Sequence, residues 1–307
     1  MKRRIYSWKT SRIGIDLGGT KILGALVDEA GNVVTSLQLP TFSDKEASQK
    51  ELLSSIISII NQLIKSAKKE GQTPQGIGIA SAGIIDQGTR TIRYAQSLGV
   101  KDFSIGKQLE DIFQIPVRLC NDTDAAAMAK WQKNNNNSDS FMYVSVGTGI
   151  GAGIMKEGVL LQGAGEIGHM TVNREGGICP CGNRGCLKHY ASGPAMEEKV
   201  RTGHGRYAEM TMPEIIERAE NGDTWCQDVL KEGAHYLGLA LVNAVHLLHI
   251  KEIALGGGVL QEGEFFLKQV QTYVHRYTMP FMAEGLTVKR SPFKAEIGAV
   301  GAACIMR

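Results

Sequence analysis

A surplus of one charge sign is missing from this sequence. Its 34 Lys and Arg stand against 31 Asp and Glu, leaving a net +3. So small a balance gives no electrostatic reason to expect a nucleic-acid partner. No stretch reaches the ~18–20 uninterrupted apolar residues of a membrane span, so no membrane association is expected. The basic opening Lys2-Arg3-Arg4 runs into Tyr6-Ser7-Trp8-Lys9 and not into an apolar segment. It does not read as a signal peptide, and a cytoplasmic location is expected. Neither a Walker A sequence nor a G-x-G-x-x-G leading from strand into helix occurs. The six cysteines are too few for a disulfide scaffold in a chain of 307 residues. Cys120, Cys226 and Cys304 are scattered and read as small buried hydrophobes.

What is present is a two-lobed α/β pattern. A chain of this length buries roughly 75% of the surface exposed when unfolded. Ile13 to Leu17 is a short apolar run ending in Gly18-Gly19-Thr20-Lys21, followed by Ile22 to Val27 and Val33 to Leu39. Three strands with tight connections predict an antiparallel meander. Between Glu51 and Lys69, Leu52, Leu53, Ile56, Ile57, Ile60, Leu63 and Ile64 recur at helical spacing, with Gly71 suited to the helix end. Gly76 to Ala80 and Val117 to Cys120 read as strands, the second opening into a helix from about Asp122. The pattern then recurs. Phe141 to Val146 ends in Gly147-Thr148-Gly149, and Gly151 to Lys156 returns. A helix spans about Trp225 to His249, and Ile253 to Leu255 ends in Gly256-Gly257-Gly258. Asn134 to Asn137 is expected to be a surface loop. The boundaries predicted are a small lobe over 1–121, completed by a C-terminal helix at 293–307, and a larger lobe over 122–292.

Three glycine-rich turns let backbone N–H groups approach phosphate oxygens without Cβ obstruction. Any one of them alone is weak evidence. The turns at Gly18 and Gly147 occupy equivalent places in the two lobes, as expected of a pair holding one triphosphate. Asp16, just before the first turn, is placed to accept a Mg²⁺-bound water. Asn121-Asp122, at a strand-to-helix junction, reads on its residues alone as an N-cap.

The third cysteine group is sharper. Cys179, Cys181 and Cys186 lie within eight residues, and His169 precedes them by ten. Three Cys and one His complete a tetrahedral zinc shell with no open position, so the Zn²⁺ is structural.

Asp16-Leu17-Gly18-Gly19-Thr20-Lys21 resembles the N-terminal signature of the ROK family (repressors, open reading frames and kinases), of the actin-like, hexokinase-like superfamily. The resemblance runs from Ile13 to about Gly301. It implies a two-lobed actin-like, ribonuclease H-like α/β fold with an interlobe cleft, and ATP and Mg²⁺ at the glycine turns. It also implies phosphorylation of a hexose or N-acetylhexosamine, at the 6-hydroxyl. Asn121-Asp122 resembles the sugar-binding Asn and the catalytic general base, and Glu166-Ile167-Gly168-His169 a sugar clamp. Homodimers are common among such proteins.

Two positions depart from that pattern. Lys188 follows Gly185-Cys186-Leu187 where similar proteins carry a sugar-binding Glu, and Ser97 stands where Asn is common. A lysine only donates where a carboxylate accepts. These departures keep open a catalytically weak or inactive sugar-binding regulatory protein. A repressor normally places a helix-turn-helix before the sugar domain. With about eleven residues ahead of the first strand, no nucleic-acid partner is expected.

Overall fold

The computed structural model describes residues 9–41, 49–133, 139–204, 209–261, 263–291 and 296–306. The expected loop at Asn134–Asn137 and the basic opening lie outside the described residues. Contacts group the chain into two compact units, 1–136 with 294–307, and 137–293.

The first unit opens as the meander the spacing predicts. β1 (Lys9–Leu17), β2 (Lys21–Asp28) and β3 (Val33–Pro40) pair antiparallel in sequence. Helix α1 (Gln49–Lys69) then carries the chain back to β4 (Gln72–Ser81), parallel to β1. Gly71 sits at φ +63°, the left-handed conformation that ends a helix at little cost for glycine. A small three-stranded sheet follows: β5 (Ile84–Asp86), β6 (Thr91–Ala95) and β7 (Val100–Phe103). Arg93 on β6 bridges Asp86 (2.7 Å) and Asp102 (3.2 Å). Helix α2 (Ile105–Phe113) leads into β8 (Val117–Asn121), parallel to β4, and α3 (Asp122–Lys133) follows without a break. The main sheet therefore runs β3-β2-β1-β4-β8.

Strand alternation gives that sheet two apolar faces. Ile15 faces α1, which buries Leu52, Ile56, Ile59, Ile60 and Leu63. Gly14 and Gly78 face the other way, toward the C-terminal helix Ile297–Cys304. A Cβ built on Gly14 would overlap the Ala299 carbonyl, and one on Gly78 the Ala302 carbonyl. Gly301 packs as closely on the carbonyl of Ala125 in α3. So the helix at 122–133 belongs with the first unit, where the sequence pattern starts the larger lobe. Gly78→Val is expected to cost about 3 kcal/mol or more, because backbone cannot yield to the new side chain. Gly177→Ala, with nothing within 4 Å of the new methyl, should be near neutral. Urea denaturation of the two variants measures both.

The second unit repeats the topology. β9 (Ser140–Val146) and β10 (Ile150–Lys156) form a hairpin, with β11 (Val159–Leu160) beside β10. The short α4 (Lys188–Ala191), α5 (Gly193–His204), α6 (Met212–Glu220) and the long α7 (Thr224–Leu248) precede β12 (Glu252–Gly256). Helix α8 (Phe265–Tyr277) packs on α7, and β13 (Thr287–Arg290) completes the order β11-β10-β9-β12-β13. In both sheets the first strand lies mid-sheet between an antiparallel neighbour and a parallel one. This doubled α/β arrangement is the actin-like, ribonuclease H-like fold. Among the described residues no helix is long and apolar enough to cross a membrane.

Candidate functional site

Three parallel strands of the first unit end level with one another. Leu17 of β1 pairs with Ser81 of β4, and Ser81 with Asn121 of β8. Ligands of open α/β sheets gather beyond such carboxyl ends. Asp16, one residue back from the end of β1, faces Gly298 of the C-terminal helix so closely that any Cβ there would strike its carboxylate. Burial pushes the Asp16 carboxyl up to about 6; the charge of Asp122 adds to the rise, and Lys21 opposes it.

Asp122 is exposed at the start of α3, and its Oδ1 accepts the Thr123 N–H at 2.7 Å. The Oδ1 of Asn121 accepts from the Thr123 N–H (3.0 Å) and hydroxyl (2.7 Å), while its Nδ2 donates to the Gly83 carbonyl at 3.2 Å. Asn121 thus caps the helix and is itself fixed, which leaves Asp122 projecting. The first glycine turn is closed by Gly18 N–H donating to the Lys21 carbonyl at 2.9 Å, and braced by the Thr41 hydroxyl on the Gly18 carbonyl at 2.7 Å. A Cβ on Gly19 would come within 2.9 Å of the Ser97 carbonyl, so Ser97 backs this turn. The Gly83 and Ser97 contacts and the Gly298 packing were not legible from the motifs. Only the small residues at 298 and 301 hinted at the last.

In the second unit, Ser145 of β9 pairs with Gly256 of parallel β12, which brings their following turns side by side. Gly147 N–H donates to the Gly149 carbonyl (2.9 Å), and the Gly193 N–H at the start of α5 donates to the Gly147 carbonyl (2.8 Å). Gly257 takes φ +91°, a conformation L side chains rarely adopt, and a Cβ there would overlap Val146. Nothing stands within 4 Å of a Cβ on Gly149 or Gly258. The two turns therefore leave room beside their glycine backbones, a setting that suits phosphate oxygens.

Glu166 precedes a single turn of 3-10 helix, Ile167–His169, and its carbonyl accepts the His169 N–H at 3.0 Å. His169, Cys179, Cys181 and Cys186 bring their ligand atoms within 4.8 Å of one another. Cys179 Sγ lies 3.8 Å from His169 Nδ1, and Cys181 Sγ 3.7 Å from Cys186 Sγ. A tetrahedral shell with Zn–S bonds of about 2.3 Å separates its sulfurs by about 3.8 Å, so the donor set fits zinc in kind and in spacing. The Asn183 backbone N–H and the neighbouring thiols lower Cys181 to about 6, whereas burial pushes Cys186 up to about 12. The loop is knitted by Cys179 N–H on the Asn183 carbonyl (2.7 Å) and by Asn183 Nδ2 on the His169 carbonyl (3.1 Å). Lys188 opens α4 directly after this loop.

The raised carboxyl of Asp16 gives a pH signature. Between about pH 4 and 6 the folded chain keeps a proton that the unfolded chain has released, so this group's contribution to stability falls as pH rises through that window. Asp16→Asn should remove up to about 3 kcal/mol of penalty at pH 7. Urea midpoints at pH 4.5 and 7.5 should converge in the variant relative to the wild type.

The ROK family model matches residues 12–307. The glucokinase of Halalkalibacterium halodurans is 28% identical over 96% of this chain and 94% of its own length. The xylose repressor of Caldicellulosiruptor bescii is 31% identical over 96% of this chain and 77% of its own. Among solved structures, the ROK hexokinase of Thermus thermophilus superposes with a TM-score of 0.82 at 29% identity, covering 96% of this chain and 97% of that one. With a family model spanning nearly its whole length, this chain belongs to the ROK family.

Proposed function

We propose that this chain is an ATP-dependent sugar kinase that transfers a phosphoryl group to the 6-hydroxyl of a hexose or N-acetylhexosamine. The observation that carries the proposal is the pair Asp16 and Asp122 at one strand edge. One carboxylate is exposed, and the other is pushed up to about 6 by burial and by the charge of the first. Family membership and the likeness to a glucokinase and a hexokinase support the same chemistry.

In this reading Asp122 accepts the proton of the attacking sugar hydroxyl as general base. Asn121, Glu166, His169 and Lys188 hold the sugar. The turns at Gly18-Gly19-Thr20-Lys21, Gly147-Thr148-Gly149 and Gly256-Gly257-Gly258 direct N–H groups at the phosphates of the substrate ATP. Magnesium, when bound, supplies charge neutralisation on those phosphates, and Asp16 accepts from its water shell. A loose phosphoryl transition state asks mainly for positioning and charge. With Nδ1 turned to the thiols, His169 would keep Nε2–H as a donor for a sugar oxygen, and a zinc ion held by the tetrad would fix that tautomer.

Coupled ADP release with Mg²⁺, across hexoses and N-acetylhexosamines, tests the proposal. Turnover with one sugar supports it, and no turnover with any sugar in folded, zinc-loaded protein sinks it. The likeness to a xylose repressor, with Lys188 directly after the cysteine loop, favours a second reading as a sugar-binding regulatory protein. That reading expects sugar binding without ADP release.

A further inference from the structure

Lysines that are half-buried in residues 137–293 end on acceptors, with one exception. Lys156 Nζ donates to the Leu248 carbonyl at 3.2 Å and Lys251 Nζ to the Glu284 carbonyl at 2.9 Å. Lys231 pairs with Asp228 at 3.0 Å, and Lys199 with Glu232. Lys188 is half-buried too, yet its ammonium meets no hydrogen-bond acceptor or carboxylate among the described residues. An ammonium that meets no acceptor in its own chain keeps its three donors for solvent or a ligand, and an anion that binds there would gain a charge-assisted hydrogen bond.

The backbone of Lys188 is tied to the segment that carries the cysteine–histidine tetrad. Leu187, fully buried, donates its N–H to the Met170 carbonyl at 2.9 Å, and Cys186 bridges to Thr171. Lys188 is therefore one residue from the segment that follows His169, and two residues from a zinc ligand. Its backbone is fixed as well: the Lys188 carbonyl accepts the Ser192 hydroxyl at 2.6 Å. In the proposed sugar-binding reading, His169 Nε2 and Lys188 donate and Glu166 accepts.

We infer that the sugar bound by this chain carries an anionic substituent, a carboxylate or a phosphate away from the acceptor hydroxyl, and that Lys188 grips it. The inference rests on the reading that Glu166, His169 and Lys188 hold the sugar. A hydroxyl offers an ammonium a neutral acceptor, whereas a carboxylate or phosphate offers a charge-assisted one, roughly twice as strong.

Calorimetric titration of the full, zinc-loaded chain tests this with hexoses of gluco, manno and galacto configuration, their hexonates and their 1-phosphates. At least one anion should bind tenfold or more tightly than its parent sugar. Whichever series does so, hexonate or 1-phosphate, identifies the charged group. In Lys188→Met that ratio should fall to within about twofold, and in Lys188→Arg it should survive. Parent sugars that bind as well as every anion, or a preference that persists in Lys188→Met, would overturn the inference. Binding and turnover separate the two proposals. Anion preference without ADP release defeats only the kinase, and ADP release from neutral hexoses without anion preference defeats only the role of Lys188.

Discussion

Asp122→Asn is expected to lower kcat for sugar phosphorylation by roughly a hundred- to ten-thousandfold, the range a positioned general base supplies. The sugar KM should move little. Asparagine keeps the size of the side chain and one carbonyl oxygen, so the Thr123 N–H retains its acceptor. What is lost is the capacity to take a proton and one negative charge. Since Asp122 is exposed at the helix start, stability should change by no more than about 1 kcal/mol, through the helix dipole. A second readout separates chemistry from damage. The Asp122 charge helps to raise the Asp16 carboxyl, so the variant should move the Asp16 titration downward, as seen by carboxyl NMR in the ligand-free protein. A variant that keeps wild-type kcat would refute the base assignment. One that loses activity while leaving the Asp16 titration in place would show that the two carboxylates do not interact.

The pieces of this site were unevenly legible in the sequence. Glycine turns after apolar runs were visible because strand ends and φ-permissive residues are local properties. The hairpins at Gly18 and Gly147 and the doubled strand order follow from them. The tetrad was legible for a similar reason: three of its four ligands lie within eight residues, and loop geometry confines them. What the pattern did not reveal is contact across distance. Nothing in the spacing says that Gly298 would rest on Asp16, that Ser97 would back Gly19, or that Gly83 would fix Asn121. The Asn121-Asp122 junction shows why local reasoning stalls. A cap and a catalytic pair use the same residue types, and here Asn121 does cap the helix while Asp122 stays exposed. The β5–β7 sheet was missed because its strands are three to five residues long and its Arg93 pairs with carboxylates on both neighbours.

Removing zinc should have the second large effect, and a local one. Cys186→Ser, or chelation under reducing conditions, should take bound zinc from one per chain to below about a tenth. The end of the loop is pinned by the chain itself, through fully buried Cys186 and Leu187 and their pairing with Thr171 and Met170, but its 177–184 arc is held less firmly. Ile178 at its tip is 72% exposed, and its cross-links are a handful of hydrogen bonds from Asn183, Arg184 and the Cys179 backbone. The Asn183 backbone N–H lowers Cys181 while burial raises Cys186, and a divalent cation would favour the thiolate form of the cysteine ligands. Structural zinc in small peptides is worth roughly 10–16 kcal/mol. If the tetrad holds zinc as proposed, that energy would mainly order the loop and fix the His169 ring, so the loss should fall on sugar binding. Sugar affinity is expected to drop at least tenfold, and the ATP turns should be spared, since neither the Gly18 nor the Gly147 hydrogen bonds involve the loop. Zinc content by elemental analysis, with sugar and nucleotide titrations on the same sample, measures all three quantities. Chelation that removes no metal, because none was bound, would refute the zinc assignment. Loss of zinc with unchanged sugar affinity would keep the metal but free His169 from any role in holding the sugar.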